Sequence, residues 1–326
     1  MGVKMKSIAV VLLSLLCVAI EPSHAQVWPN KPVRIVAPFA PGGAADTLGR
    51  LVADPLSAIF KQQFFVENRP GAGGMIGAAS VATAAPDGYT FVIAGIASHV
   101  IAPAMSPNPG FDPVHDFTHI AYLGGPPVLW IVHPSHPAKD FKEFLAYAKA
   151  TPKPLDYISP GTGTQGNLFA EAFAIREKLR ITHIPYKGAG PALVDLVAGH
   201  VPFGSVTFSS AAELIRGGKV RPLAISAERR LANFPDIPTF RELGYDDLVT
   251  ATWFGFSGPA KLPPDMVQAL GREITSNILH QPAVQKRMAL DEIEARLMTP
   301  AQFTEFVAGE VARWGPLAKA LGATQN

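Results

Sequence analysis

The sequence predicts an α/β protein of two lobes joined by a hinge. Three observations lead there. Strand-like and helix-like runs alternate almost throughout, the pattern of sheets covered by helices. Two glycine-rich turns, Ala40-Pro41-Gly42-Gly43-Ala44-Ala45-Asp46 and Pro160-Gly161-Thr162-Gly163-Thr164-Gln165-Gly166-Asn167, each join a strand to a helix. Turn-rich breaks at Gly124-Gly125-Pro126-Pro127 and around Trp253-Phe254-Gly255-Phe256 then divide the chain, as if it left a first lobe and later returned. A length of 326 residues exceeds what one core ordinarily supports. The expected division is a leader over 1–25, a first lobe over 26–124, a second over 125–250, and a return with C-terminal helices over 251–326.

The leader has the features of a secretory signal. Lys4 and Lys6 precede an apolar run from Ile8 to Ile20 broken only by Ser14, and Ser23-His24-Ala25 offers small residues before Gln26. The run is too short for a comfortable membrane span. Cys17 lacks the small preceding residue of a lipidation site, so it is read as part of the discarded segment. Cleavage between Ala25 and Gln26 removes 25 of 326 residues and the single cysteine, leaving no thiol and no disulfide. The net charge falls from +2 to about +1, since Lys4, Lys6 and Glu21 leave with it. A near-neutral balance without a basic cluster argues against nucleic acid and an electrostatic membrane anchor. An exported, cysteine-free, water-soluble chain points to the periplasm.

Val33 to Phe39 reads as the first strand, followed across the glycine turn by a helix from about Thr47 to Phe60. Phe64 to Asn68 is a second strand, a glycine loop Gly71-Ala72-Gly73-Gly74 follows, and Ile76 to Ala84 is a helix of small residues. Pro86-Asp87-Gly88 turns into the strand Tyr89 to Ala94. Leu129 to Val132 is a dense apolar strand and Phe141 to Ala150 a helix. Leu155 to Ser159 is the strand before the second glycine turn, and Leu168 to Lys178 the helix after it. Ile181 to Pro185, Val201 to Phe208 and Arg221 to Ser226 are further strands, with a helix over Ala189 to Ala198. Helices at about Pro264 to Leu279, Gln281 to Met288 and Ala301 to Leu321 close the chain. Alternation of this kind implies largely parallel sheets with ligand bound beyond the strand ends, where both glycine turns sit.

A strand that breaks into glycine and restarts as a helix leaves backbone N–H groups unpaired at the positive end of the helix dipole, which favours an anion. Gly161-Thr162-Gly163-Thr164-Gln165-Gly166 also matches the dinucleotide fingerprint. That chemistry needs an acidic residue at the tip of the next strand, where Pro185-Tyr186-Lys187 stands instead, so no cofactor is expected. Asp46 is placed to cap its helix, to reach the cleft, or both, with the N–H donors of Gly42 and Gly43 facing the anion. His115 and His119, with Asp112 and Asp116 nearby, have metal-ligand spacing but read as a surface loop, and His133 and His136 as a turn. No metal site is expected. Ser98-His99 suggests a nucleophile and base, but neighbours in a strand-like run point apart. No catalytic set assembles, so no enzyme is expected. The rival reading is an exported enzyme using Asp46 or His99 on a small acid. Trp28, Trp130, Trp253 and Trp314 read as packing residues, with Trp253 nearest the hinge and ligand, and Phe39 is a candidate apolar wall.

Several stretches carry a resemblance. Trp28-Pro29-Asn30-Lys31-Pro32-Val33-Arg34-Ile35-Val36 through Asp46, Glu67-Asn68-Arg69-Pro70-Gly71-Ala72-Gly73-Gly74 and Pro86-Asp87-Gly88-Tyr89-Thr90 are three of them. Pro185-Tyr186-Lys187-Gly188, Gly199-His200-Val201, Asp236-Ile237-Pro238-Thr239-Phe240 and Glu242-Leu243-Gly244-Tyr245 continue it over nearly the whole chain after the leader. Together they resemble the Bug family (TctC-like), extracytoplasmic solute receptors of tripartite tricarboxylate transporters. The resemblance implies a type II-like periplasmic binding protein, monomeric, whose lobes close on a di- or tricarboxylate, an amino acid or an aromatic acid. The loaded receptor would then meet membrane transporter subunits or a periplasmic sensor domain. By carry-over, Ala40, Pro41, Gly42, Gly43 and Asp46 serve one side and Gly163, Thr164 and Gln165 the other, with Ser98, Lys187, Gly188 and Thr207 as further candidates. One departure stands out: Asn167-Leu168 occupies a position where the family often has His-Leu, so no charged histidine is available there.

Overall fold

The computed structural model describes residues 28–324, and the expected leader with its Ala25/Gln26 junction lies outside them. Residues 31–324 contain two five-stranded sheets with helices on their faces. The first holds β1 (Val33–Ala37), β2 (Phe64–Asn68), β3 (Thr90–Gly95), β4 (Phe117–Gly124) and β10 (Phe254–Pro259), in the order β2-β1-β3-β10-β4. The second holds β5 (Val128–Val132), β6 (Leu155–Ser159), β7 (Ile181–Pro185), β8 (Phe203–Thr207) and β9 (Arg221–Ile225), in the order β7-β6-β8-β5-β9. Each sheet with its helices is called a lobe below.

The sheets are mixed: four strands of each run the same way, as expected of largely parallel sheets, and one is reversed. β10 runs antiparallel to β3 and β4, and β5 runs antiparallel to β8 and β9. The reason is topological. The reversed strand in each sheet is the one by which the chain enters that lobe. Phe254 at the start of β10 pairs with Gly95 and Gly124 at the ends of β3 and β4, and Val128 at the start of β5 pairs with Thr207 at the end of β8. Both crossings therefore lie at the carboxyl edge of the other strands. They also touch: Pro127 bridges Ala251 in antiparallel fashion, and Thr252 donates from N and Oγ1 to the Pro126 carbonyl at 3.0 and 2.6 Å.

Strand residues buried on both faces explain the dense apolar runs. In β5 the alternation of side chains sorts Val128, Trp130 and Val132 onto one face and Leu129 and Ile131 onto the other. The first face is aromatic: Trp130 stacks on Phe203 at 5.3 Å and meets Phe173 and Phe144 edge-on. The second face is aliphatic, with Ile158, Leu196, Val206 and Ile225. The helices are α1 (Ala44–Phe60), α2 (Met75–Ala82), α3 (Ala102–Met105), α4 (Phe141–Ala150), α5 (Gln165–Glu177), α6 (Ala189–Val197), α7 (Phe208–Arg216), α8 (Pro264–Arg272), α9 (Pro282–Leu290) and α10 (Pro300–Thr324). No helix among the described residues is long and apolar enough to cross a membrane.

Candidate functional site

Four helices begin at the carboxyl edges and aim their N-termini at one cleft between the lobes. Its lining comes from Gly43 with Ala44 and Ala45 at the start of α1, Thr164 with Gln165 and Gly166 at the start of α5, Ala189 of α6, and Thr207 with Ser210 at the start of α7. Phe39, Ile96, Pro160 and Phe254 supply apolar wall, and Thr252 of the return crossing completes it. The cleft encloses about 540 Å³, counting the part open to solvent. No lysine or arginine lines it. Helix geometry leaves the first-turn N–H groups of Ala44, Ala45, Gln165, Gly166, Ala189 and Gly190 without intrahelical acceptors. Donors and helix dipoles together make the cleft electropositive without a cationic side chain.

The first loop is held by Asp46. Its Oδ2 accepts from the Gly42 N–H at 3.1 Å, and its Oδ1 from Arg50 Nε at 3.1 Å and Asn68 Nδ2 at 3.0 Å. Asn68 Nδ2 also donates to the Phe39 carbonyl at 3.0 Å. Burial pushes the Asp46 carboxyl up, but the bonds from Arg50, Gly42 and Asn68 outweigh it and hold it below its usual value. This corrects the expectation that the Gly42 N–H faces an anion, because Asp46 already receives that donor. Asp46 acts as a brace behind the loop, and its side chain makes no cap bond to the first turn of α1.

The second loop is held by Asn167 and His183. Thr164 Oγ1 donates to the Gly161 carbonyl at 2.7 Å and accepts from the Asn167 N–H at 3.3 Å. Asn167 Oδ1 accepts from the Gly163 N–H at 3.1 Å, and its Nδ2 donates to the Tyr157 hydroxyl at 2.9 Å. The same Nδ2 lies 3.3 Å from His183 Nδ1, and His183 Nε2 lies 2.7 Å from Ser159 Oγ. Burial holds the His183 pKa at about 4, so the ring is neutral near pH 7. An imidazole therefore does support this loop, but from β7, which no local motif announced. Asn167→Leu would leave Gly163, Tyr157 and His183 each short of a partner. The expected loss is about 2–4 kcal/mol of unfolding free energy, read by urea denaturation.

The remaining candidates separate. Phe39, Gly43, Thr164, Gln165 and Thr207 line the cleft. Ala40, Pro41 and Gly42 form its rim, packed against the start of α6: the Ala40 N–H donates to the Lys187 carbonyl at 2.8 Å, and a methyl on Gly188 would press on Ala40 N. A methyl on Gly190 would overlap the Pro41 carbonyl oxygen. Gly163 meets Ala102 and lies near Gly73, and Lys187 lines a neighbouring groove on the other side of Phe39. Ser98 is fully buried beneath Gly74. Ser98 and His99 do not point apart, because they lie in a π-helical turn, with Ser98 Oγ 2.9 Å from His99 Nδ1. Both are inaccessible, with His99 against Phe117 at 4.5 Å, and neither lines the cleft. His115 is exposed while His119 is buried in β4, so the two share no helix face. Trp253 lies away from the cleft, its Nε1 donating to Glu310 Oε2 at 3.0 Å. Sequence reasoning missed Ala44, Ala45, Gly95, Ile96, Ala97, Pro160, Gly166, Ala189, Ser210, Thr252 and Phe254 as lining. The strand-to-helix junctions opening α6 and α7 were the signal available for two of them.

Comparison with known proteins follows the same lines. Residues 48–323 match the family described as "Tripartite tricarboxylate transporter family receptor". The fold superposes on the periplasmic binding protein BugD with a TM-score of 0.86 at 30% identity, covering 90% of this chain and 99% of that one. An R. palustris protein solved with adipate gives 0.86 at 32% identity over 90% and 98% of the two chains. MatC from Rhodopseudomonas palustris, solved with bound malate, gives 0.84 at 32% over 89% and 100%.

Proposed function

Because this chain belongs to the tripartite tricarboxylate transporter receptor family, we propose that it captures a small carboxylate in the periplasm and hands it to membrane transporter subunits. The observation that carries the ligand class is the convergence of four helix N-termini on a cleft without a cationic side chain. A carboxylate there accepts backbone N–H groups from both lobes, and bridging them favours the closed arrangement over the open one. The two adjacent crossings at Pro126-Pro127 and Ala251-Thr252 act as the hinge. Solved relatives that hold adipate and malate support the ligand class. The working unit is a monomer that turns nothing over.

A thermal-shift and calorimetric screen of mono-, di- and tricarboxylates, amino acids and aromatic acids tests this reading. The right ligand at a hundredfold excess over its Kd adds about 2.7 kcal/mol to stability. A flat response to every acid would overturn the reading, and so would product formation during incubation.

A further inference from the structure

Gln165 is the first residue of α5, lines the cleft, and is only 4% exposed. Its Nε2 donates to Thr250 Oγ1 at 2.8 Å and to the Ala251 carbonyl at 3.2 Å. That carbonyl can only accept, so turning the amide over would set oxygen against oxygen. The side chain is thereby locked with Oε1 as a fixed acceptor. Oε1 is buried and has no partner among the described residues, whereas most buried polar atoms find one.

The hydroxyls that share the cleft do not supply that partner. Thr164 Oγ1 donates to the Gly161 carbonyl, Thr252 Oγ1 to the Pro126 carbonyl, and Thr207 Oγ1 pairs with Ser210 Oγ at 2.7 Å. We propose that Gln165 Oε1 is a selectivity element that accepts a hydrogen bond from a donor beside the bound carboxylate. The receptor then prefers 2-hydroxy acids and amino acids over unsubstituted acids of equal length. This rests on the carboxylate reading above. Gln165 carries both a backbone N–H at the helix start and this unpaired acceptor, so one residue can receive a carboxylate and a donor on the carbon next to it. An unsubstituted acid closes the cleft over an acceptor left unpaired, and its affinity suffers for it.

Calorimetry on the purified protein tests this with matched sets: succinate against malate and aspartate, and propanoate against lactate and alanine. In at least one set a substituted acid should bind about tenfold tighter or more, and Gln165→Met should bring the members within about threefold. Methionine keeps the length and removes the acceptor. A preference that survives in Gln165→Met overturns the inference. If that variant fails to fold, the wild-type comparison decides alone. Equal binding across every set sinks this inference and leaves the receptor reading standing. No binding by any carboxylate sinks both.

Discussion

Gly190→Ala should weaken solute capture by about a hundredfold or more while leaving the protein folded. Gly190 is the second residue of α6, and a methyl there would overlap the Pro41 carbonyl oxygen of the opposite lobe. Pro41 O is backbone in a loop braced by Asp46, so it has little room to retreat. The overlap is relieved by parting the lobes. Within its own lobe the substitution is benign, because alanine is the better helix former by about 1 kcal/mol. Affinity for a closing ligand scales with the population able to close, so an apparent Kd weaker by about a hundredfold or more is expected. Calorimetry reads the affinity and thermal denaturation should show an unchanged or raised Tm. Gly309→Ala in α10, where a methyl meets open space, should leave binding as it was. Unchanged affinity in Gly190→Ala would mean that the bound state does not use this rim contact.

Between pH 7 and pH 5 the folded state should lose about 4 kcal/mol of stability through the imidazoles of His119 and His183, with the fully buried His99 adding to the loss. His99 is fully buried, and desolvation followed by repulsion from His119 holds its pKa well below 6.5. Burial holds His119 at about 4, and His183 at about 4. Each ring is neutral in the fold, while the same ring in the unfolded chain protonates below about 6.5. The unfolded state therefore binds more protons in that window. Stability is full well above pH 6.5, declines as the pH falls toward 4, and loses about 2 kcal/mol for each of His119 and His183 by pH 5. Urea midpoints at pH 7 and 5 measure it, and His119→Gln should flatten the slope by removing about 2 kcal/mol of the loss. A stability that does not change between the two would show that these rings are protonated within the fold.

The elements that position the cleft were legible where local chemistry decides them. A strand followed by Pro-Gly-Gly or Pro-Gly-Thr-Gly and then a helical run can hardly be read otherwise, and Gly43, Thr164 and Gln165 do line the cleft. Strand direction was not legible. Nothing in Leu129-Trp130-Ile131-Val132 distinguishes a parallel strand from the reversed one it is, because the reversal follows from where the chain crosses. Asp46 shows the same limit. Its partner Asn68 stands 22 residues away and reaches it only because β1 and β2 pair with Ala37 beside Asn68. The bracing of the second loop by His183 depends likewise on the pairing of β6 with β7, which sets Tyr157 opposite His183.

The rim of the cleft is main chain meeting main chain: Ala40 N–H on the Lys187 carbonyl, with Gly42 against Gly190. A surface of peptide groups with almost no side chains has very little rotamer entropy to lose when it is pressed shut. It also has little oily area to gain. On the lobe closure proposed above, shutting and reopening such a rim lie close to thermal balance until something inside holds the two halves together. Release then requires no interlocked side chains to be disentangled, and the residence time of the solute is set by the solute's own contacts.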